Sequence, residues 1–512
     1  MTHRFGGCLA CVLALVGCGG PDEPPVTPAA PPPPVASTPP PVAAAPAPPP
    51  VPATVATLAK GAILFDDLGT YARSVTASAD AKPFFDQGLR LTYAFNHDEA
   101  ARSFAHAAEL DPSCALCYWG AALTLGPNYN VPMLPDRAQT AWDALDRART
   151  LASGATPVEQ ALIGALAKRY KGPEPLDPPS MQPFNVAYAA AMHDVAVHFP
   201  DDDDVQVLAA EAGMDTMPWK LWSLDGKPAP GTDEIVSALE RVLARNANHP
   251  GANHYLIHAV EASPHPDKAL PSAERLAGLV PGAGHIVHMS AHIFQRVGRY
   301  ADASAANSKA VDVDLAYMKK TKPPGYYPMY LGHNYGFLAF SASMEGRSKD
   351  SLAAARNAAK YMPASMADMM PGMDFFSAEL GAGQNTAKDV FGLAHKILEA
   401  RLATLEKKKG SLDLWKEAAL RADKLAYSEP DDWFYSVRHY YGAALLSAGK
   451  GAEAEPVYRE DLRRHPHNGW ALFGVWKSLE AQKDKKGEVA AAKEEFETAW
   501  KGADVTLKSS AF

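Results

Sequence analysis

Histidines that could bind a metal are concentrated in one part of the sequence. Of the 17 histidines in the 512-residue chain, eight lie within residues 249–333. His254 and His258 are four residues apart, as are His288 and His292, and the two pairs are separated by 34 residues. On an α-helix a spacing of four residues places both side chains on one face. Because neutral imidazole is a good ligand for zinc, copper, iron and nickel, the pattern predicts a transition-metal site.

A repeat of 34 residues indicates which elements position these histidines. The unit that starts at Ala81 has large, small, aromatic and proline residues at regular places, namely Phe84, Gly88, Leu91, Ala100, Phe104, Ala107 and Pro112. A second clear unit starts at Tyr435, with Gly442, Gly449, Ala454, Tyr458 and Pro466. These positions resemble those of tetratricopeptide (TPR) repeats, which are pairs of packed helices. The resemblance covers most of residues 81–502. It implies an all-α helical solenoid of about ten helix pairs with insertions, either a right-handed superhelix or a compact array folded back on itself.

The resemblance also implies that the histidines share one surface. In TPR families, positions 2, 5, 9, 12 and 13 of the first helix face the concave groove of the solenoid. Six histidines take positions 2, 5 or 9 of the units starting at Pro250, Gly284 and Gly332: His254, His258, His285, His288, His292 and His333. Glu261 takes position 12 of the first of these units. Glu211 and Asp215 take positions 9 and 13 of the preceding one.

Three roles are compatible with a histidine-rich groove. The first is a centre for one or two metal ions, in which Glu261, Glu211 or Asp215 would act as ligands or orient the imidazoles. Copper or iron suits an exported protein with this donor set, and zinc is possible; an open coordination position would allow an oxidative metal-dependent enzyme. The second is a wet groove of an envelope scaffold that binds an acidic peptide or a protein partner, with histidine as a pH-sensitive donor. The third is structural hydrogen bonding.

The N-terminal residues predict export and a lipid anchor. Arg4 precedes a short apolar run that is too short to cross a bilayer, as in a secretory signal. Leu15-Val16-Gly17-Cys18 resembles the lipobox of bacterial lipoproteins, which implies a signal peptide at 1–17 and lipidation of Cys18; the alternative is a soluble secreted protein cleaved near Gly17. Gly19 favours the outer membrane within the cell envelope. Sixteen prolines between residues 21 and 53 predict a disordered tether over 18–53, followed by the solenoid at 54–512 with its histidine-rich groove at 205–340.

Other features exclude several classes of function. The formal charge of −9 provides no basic field for nucleic acid. Phosphate-binding glycine loops, Gly-x-Ser-x-Gly and His-Glu-x-x-His are absent from the sequence, which disfavours common hydrolases and nucleotide enzymes. Cys114 and Cys117 predict a local disulfide or two packed thiols.

Two segments around the histidines resemble a family of exported bacterial TPR proteins. They are Asn253-His254-Tyr255-Leu256-Ile257-His258 and Gly284-His285-Ile286-Val287-His288-Met289-Ser290-Ala291-His292. This resemblance implies the fold and the exported location. It implies no activity.

Overall fold

The architecture is all-α. A computed structural model describes residues 50–323, 327–361 and 385–511, which belong to one compact unit. These ranges contain helices and turns without a β-strand, apart from one isolated antiparallel bridge between Trp222 and Pro228. Within the same ranges no helix combines the length and the apolar character needed to cross a bilayer. The prediction of an all-α helical repeat is confirmed. The predicted signal peptide, the predicted lipidation site Cys18 and most of the predicted tether lie outside the described residues.

Most helices have between ten and fourteen residues, as expected for helix pairs. The N-terminal helices are α1 Ala53–Leu58, α2 Lys82–Tyr93, α3 His97–Leu110, α4 Ala115–Leu125, α5 Ala138–Leu151, α6 Pro157–Leu166, α7 Pro178–His198 and α8 Asp203–Met214. The central helices are α9 Thr232–Arg245, α10 Pro250–Val260, α11 Leu270–Leu279, α12 Gly284–Arg296, α13 Tyr300–Thr321, α14 Pro328–Met344 and α15 Ser348–Tyr361. The C-terminal helices are α16 Ala387–Leu405, α17 Ser411–Ala422, α18 Val437–Ser447, α19 Gly451–Arg464, α20 Gly469–Glu480 and α21 Lys486–Ala499. Short 3₁₀ helices span Pro135–Arg137, Ala152–Gly154 and Pro266–Ala269.

The glycines and aromatic residues of the repeat set the spacing of the helices. Phe104 on α3 lies against Gly88 on α2 and Gly120 on α4, so that a Cβ at either glycine would be only 2.6–2.9 Å from the ring. The same contact recurs in the C-terminal unit at Gly442, Tyr458 and Gly474. In both places the aromatic ring of a second helix therefore packs between the first helices of two successive units. This contact explains the small and aromatic positions of the 34-residue pattern.

The array folds back on itself. Tyr93, at the end of α2, lies against Gly251 on α10, and its hydroxyl donates a hydrogen bond to Asp204 on α8 at 2.5 Å. The Tyr317 hydroxyl on α13 lies 3.3 Å from the side-chain oxygen of Asn96. Units of an extended solenoid contact only their neighbours, whereas these contacts join residues more than 100 positions apart. The N-terminal helices thereby cover the surface that an extended array would expose as its groove.

A disulfide lies at the beginning of α4. The Sγ atoms of Cys114 and Cys117 are bonded at 2.05 Å, and both residues are buried. The Cys114 sulfur also accepts a hydrogen bond from the backbone N–H of Cys117 at 3.1 Å. The bond links the residue before α4 to the first turn of the helix.

Candidate metal centre

Helices α10, α12 and α14 supply all six predicted histidines. Helix α10 begins at Pro250, where a missing N–H leaves no unsatisfied donor, and the His249 side chain accepts a hydrogen bond from the Ala252 N–H at 3.2 Å. His254 and His258 follow on one face of this helix. The first helices of the two following repeat units are α12 and α14. They carry the other four histidines, His285, His288, His292 and His333.

Three of these histidines form a group that is enclosed by protein. His254, His258 and His285 each offer a ring nitrogen, and these nitrogens lie within 4.8 Å of one another. All three side chains are buried. We call them the inner group. Ligands that share one ion at bond lengths of about 2.0–2.1 Å lie roughly 3–4 Å apart, so small rotations of the rings bring these nitrogens to an ion.

The other three histidines form an outer group. His288, His292 and His333 also bring one nitrogen each to within 4.8 Å of the others, and the Nε2 atoms of His288 and His292 are joined by a hydrogen bond of 2.8 Å. His288 and His292 are buried, whereas His333 is partly exposed. The groups are adjacent, because the rings of His285 and His288 have centroids 5.9 Å apart.

Four of the six rings are held through their Nδ1 atoms. In the inner group, the Nδ1 of His254 lies 2.6 Å from the Tyr93 carbonyl oxygen and that of His258 lies 2.9 Å from Glu261 Oε1. In the outer group, the Nδ1 of His288 lies 2.7 Å from Asn307 Oδ1, and that of His292 contacts Glu261 Oε2. Since these acceptors fix Nδ1–H as the donor, each ring presents Nε2 to its group. The Nε2 atoms of His254 and His258 are buried without a hydrogen-bond partner among the described residues.

Burial and neighbouring rings keep most of these imidazoles neutral. Desolvation lowers the pKa of His258 and moves those of His254, His285 and His288 well below the usual value. Desolvation and the nearby charge of His292 lower the pKa of His333 to about 3. Neutral imidazole is the form that binds metals. Five of the six rings are therefore in the correct protonation state, whereas the carboxylates beside His292 favour its charged form.

A carboxylate that the sequence pattern did not indicate joins the centre. Glu429, in the loop between α17 and α18, places Oε2 2.9 Å from the Nδ1 of His292, and it forms a further possible ligand group with His292 and Glu261. Burial raises the pKa of Glu429 to about 7. Burial alone would lower the pKa of His292. The neighbouring Glu261 and Glu429 outweigh burial and raise this pKa to about 10. Burial also opposes ionisation of Glu261, but His292 and His258 outweigh it and lower the pKa to about 2.

Glu211 and Asp215 lie in a different cluster. Asp215 accepts a hydrogen bond from the buried guanidinium of Arg169 at 2.5 Å. Burial and the neighbouring Asp215 raise the pKa of Glu211 well above its usual value. Neither carboxylate belongs to a group with the six histidines in the part of the chain that the structure describes. The predicted roles of these two residues at the histidines are not supported by their positions, because each is engaged by the other and by Arg169.

One buried phenylalanine lies against each histidine group. The ring centroid of Phe95, between α2 and α3, is 4.6 Å from that of His254 and 5.8 Å from those of His258 and His285. Phe337 on α14 contacts the outer group, with centroid distances of 4.7 Å to His288, 4.6 Å to His292 and 4.9 Å to His333. Sequence reasoning missed both rings. For Phe337, its position four residues after His333 on the same helix face was an available signal.

Comparisons with known proteins give few further indications. No protein-family model and no curated protein sequence matches the chain. Among solved structures, a human IFIT1 dimer with m7Gppp-AAAA is similar to the chain at 13% identity and a TM-score of 0.34, over 84% of this chain and 91% of that one. The TPR domain of P58(IPK) is similar at 13% identity and a TM-score of 0.22, over 80% and 99%. The architecture of this chain is established by its own helices.

Proposed function

We propose that the protein is a helical repeat protein that binds transition-metal ions in its buried histidine centre. The observation that carries the proposal is the anchoring of four imidazoles through Nδ1. Hydrogen-bond acceptors behind metal-bound histidines fix the tautomer and the orientation of the ring, and Tyr93, Glu261 and Asn307 provide such acceptors here. Histidines that only pack would have no need for Nε2 atoms that converge in two groups.

The donor set suits copper, iron or zinc. Six imidazoles and two carboxylates, Glu261 and Glu429, are donors of the kind that these ions accept. The two groups have separate ligands, so the centre has room for two ions. A copper or iron ion in the outer group would support oxidative chemistry on a substrate that reaches His333, the partly exposed ligand.

Metal analysis of the purified full-length chain tests this proposal. The protein is prepared without an affinity His-tag, incubated with copper, iron or zinc, desalted, and analysed by inductively coupled plasma mass spectrometry. We expect stoichiometric metal in the wild type and its loss in the double variant His254→Ala/His288→Ala. The matched control is His193→Ala/His395→Ala, which removes two exposed histidines. A wild type that takes up none of the three metals contradicts the proposal.

A second candidate is a scaffold that binds a protein partner. The helical repeat architecture suits this role because it presents extended surfaces. The specific observation is an exposed apolar stripe on α16, formed by Phe391, Leu398, Leu402 and Leu405, each at least 49% exposed. The buried histidines are not available to a peptide, so a partner would bind the outer surface. Leu398→Glu/Leu402→Glu would abolish capture of such a partner while leaving the metal content unchanged.

We also propose that the chain is anchored in the cell envelope by a lipid on Cys18. The support comes from the Leu15-Val16-Gly17-Cys18 sequence and from Gly19, which favours the outer membrane. Replacement of Cys18 by Ser should move the protein from the membrane fraction to the soluble fraction, as followed by immunoblotting. Membrane association that persists in Cys18→Ser contradicts the anchor.

A further inference from the structure

The two phenylalanines restrict what kind of ion the histidine groups can hold. We infer that the inner and outer groups each bind one copper(I) ion through three imidazoles. This inference rests on the proposed function, which it deepens by naming the metal, its oxidation state and its number. It is based on the positions of the phenylalanine rings beside the two groups.

At the inner group, Phe95 occupies one side of all three imidazoles. The residue is 1% exposed and has φ = +51°. A bulky residue with positive φ is an outlier that surrounding structure must hold in place. On another side, two further rings pack against His258. The centroid of the His258 ring lies 5.2 Å from that of Tyr129 and 5.7 Å from that of Trp219. Trp219 also has a positive φ, of 61°. Aromatic rings, not polar side chains, therefore border the inner group on these sides.

At the outer group, Phe337 has the same role. Its side chain is completely buried, and its ring lies within 5 Å, centroid to centroid, of His288, His292 and His333. The Nδ1 atoms of His288 and His292 are already engaged by Asn307 and Glu261. Each group thus has three imidazoles on one side and an apolar ring on the other.

Three-coordination distinguishes copper(I) from the other candidates. Zinc in proteins is almost always four-coordinate, with water completing the sphere where only three protein ligands are present. Iron(II) sites that use few protein ligands likewise keep open positions for additional ligands. Copper(I) has a filled d shell and a single charge, and it is stable with three nitrogen donors and no water. The apolar rings favour the ion that does not need a fourth ligand.

Anaerobic titration of the full-length protein tests the inference. Copper(I) is added in competition with the chelator bicinchoninate, and zinc is titrated in parallel. We expect two copper(I) ions per chain in the wild type and one in each of His254→Ala and His333→Ala, with X-ray absorption showing three nitrogen donors per copper. Zinc that binds more tightly than copper(I), or a single divalent ion held by Glu261, His292 and Glu429, would overturn the inference. Absence of every metal would instead contradict the proposed function itself.

Variants of the backing ring separate its effect from general destabilisation. Phe337→Ala opens space for a fourth ligand at the outer group. The preference of that site for copper(I) over zinc should therefore fall about tenfold or more, while the other site is unchanged. Phe337→Leu, a milder change, should give a smaller loss in the same direction if the alanine variant does not fold. The control is Phe340→Ala, which removes another buried ring of α14 that packs against Phe434. An unchanged metal preference in both Phe337 variants would overturn the role of the ring.

Discussion

Glu261, which follows α10, accepts a hydrogen bond from the Nδ1 of His292 on α12, 31 residues further along the chain. The other oxygen of the same carboxylate lies 2.9 Å from the Nδ1 of His258. One side chain therefore orients a ligand in the inner group and a ligand in the outer group. This shared contact couples the orientation of His258 to that of His292.

Glu261→Gln should weaken metal binding in both groups. The amide retains one acceptor oxygen and loses the negative charge, so it can hold only one of the two imidazoles by accepting a hydrogen bond. Loss of a group that orients metal ligands commonly costs about 10–100-fold in affinity. Competition titrations should show this loss for both ions. Glu240→Gln on α9, an exposed carboxylate, is the control, and a loss confined to one ion would show that the groups are not coupled.

Asn307→Ala should weaken the outer group alone. The amide oxygen of Asn307 lies 2.7 Å from the Nδ1 of His288, and both residues are buried. Without this acceptor the His288 ring is free to turn or to change tautomer, and we expect a loss of about 10–100-fold for one of two ions. Ser308→Ala alters an exposed neighbour on the same helix and should change neither. Equal losses for both ions in Asn307→Ala would contradict the separate assignment of ligands.

The sequence predicted the helices and the convergence of the histidines because both follow from local periodicity. Gly88, Phe104 and Gly120 recur at fixed spacings, and the packing of the ring between the two glycines explains why. The i, i+4 pairs of histidines similarly follow from the geometry of a single helix. Features that depend only on one helix and the helix packed beside it were therefore predictable from the sequence.

The rest of the centre depends on contacts that periodicity does not encode. Glu429 reaches His292 from a loop 137 residues further along, and Phe95 reaches His254 because the first helices fold back onto α10. An extended TPR array would have left the groove open, so the pattern did not predict the burial of five of the six histidines. The position of Glu211 beside Asp215 and Arg169 likewise depends on a contact between distant segments of the chain.

Gly120→Ala should destabilise the fold, whereas Gly164→Ala should stabilise it. A Cβ at Gly120 would lie 2.6 Å from the Phe104 ring, and overpacking of this kind costs about 1–3 kcal/mol. Gly164 lies on α6 with no atom within 4 Å of the added methyl group, so alanine there should gain about 0.5–1 kcal/mol from helix propensity. Urea denaturation measures both free energies of unfolding. An unchanged free energy of unfolding in Gly120→Ala would mean that helices α2, α3 and α4 adjust their spacing freely.

The ion pairs of His465 should make stability fall as the pH rises above neutrality. Its Nε2 lies 3.0 Å from Asp431 and its Nδ1 3.6 Å from Asp461. Burial opposes the charged form, but the hydrogen bond with Asp431 and the interactions with both carboxylates outweigh it and raise the pKa to about 10. The folded pKa exceeds the unfolded value of about 6.5, so the stabilisation is complete below about pH 6.5 and is lost as the pH rises towards 10. Urea denaturation of His465→Gln should show a flatter pH dependence over this range than the wild type, whereas His395→Gln, an exposed control, should retain the wild-type slope. Parallel curves for the wild type and His465→Gln would show that the proton on His465 does not stabilise the C-terminal helices.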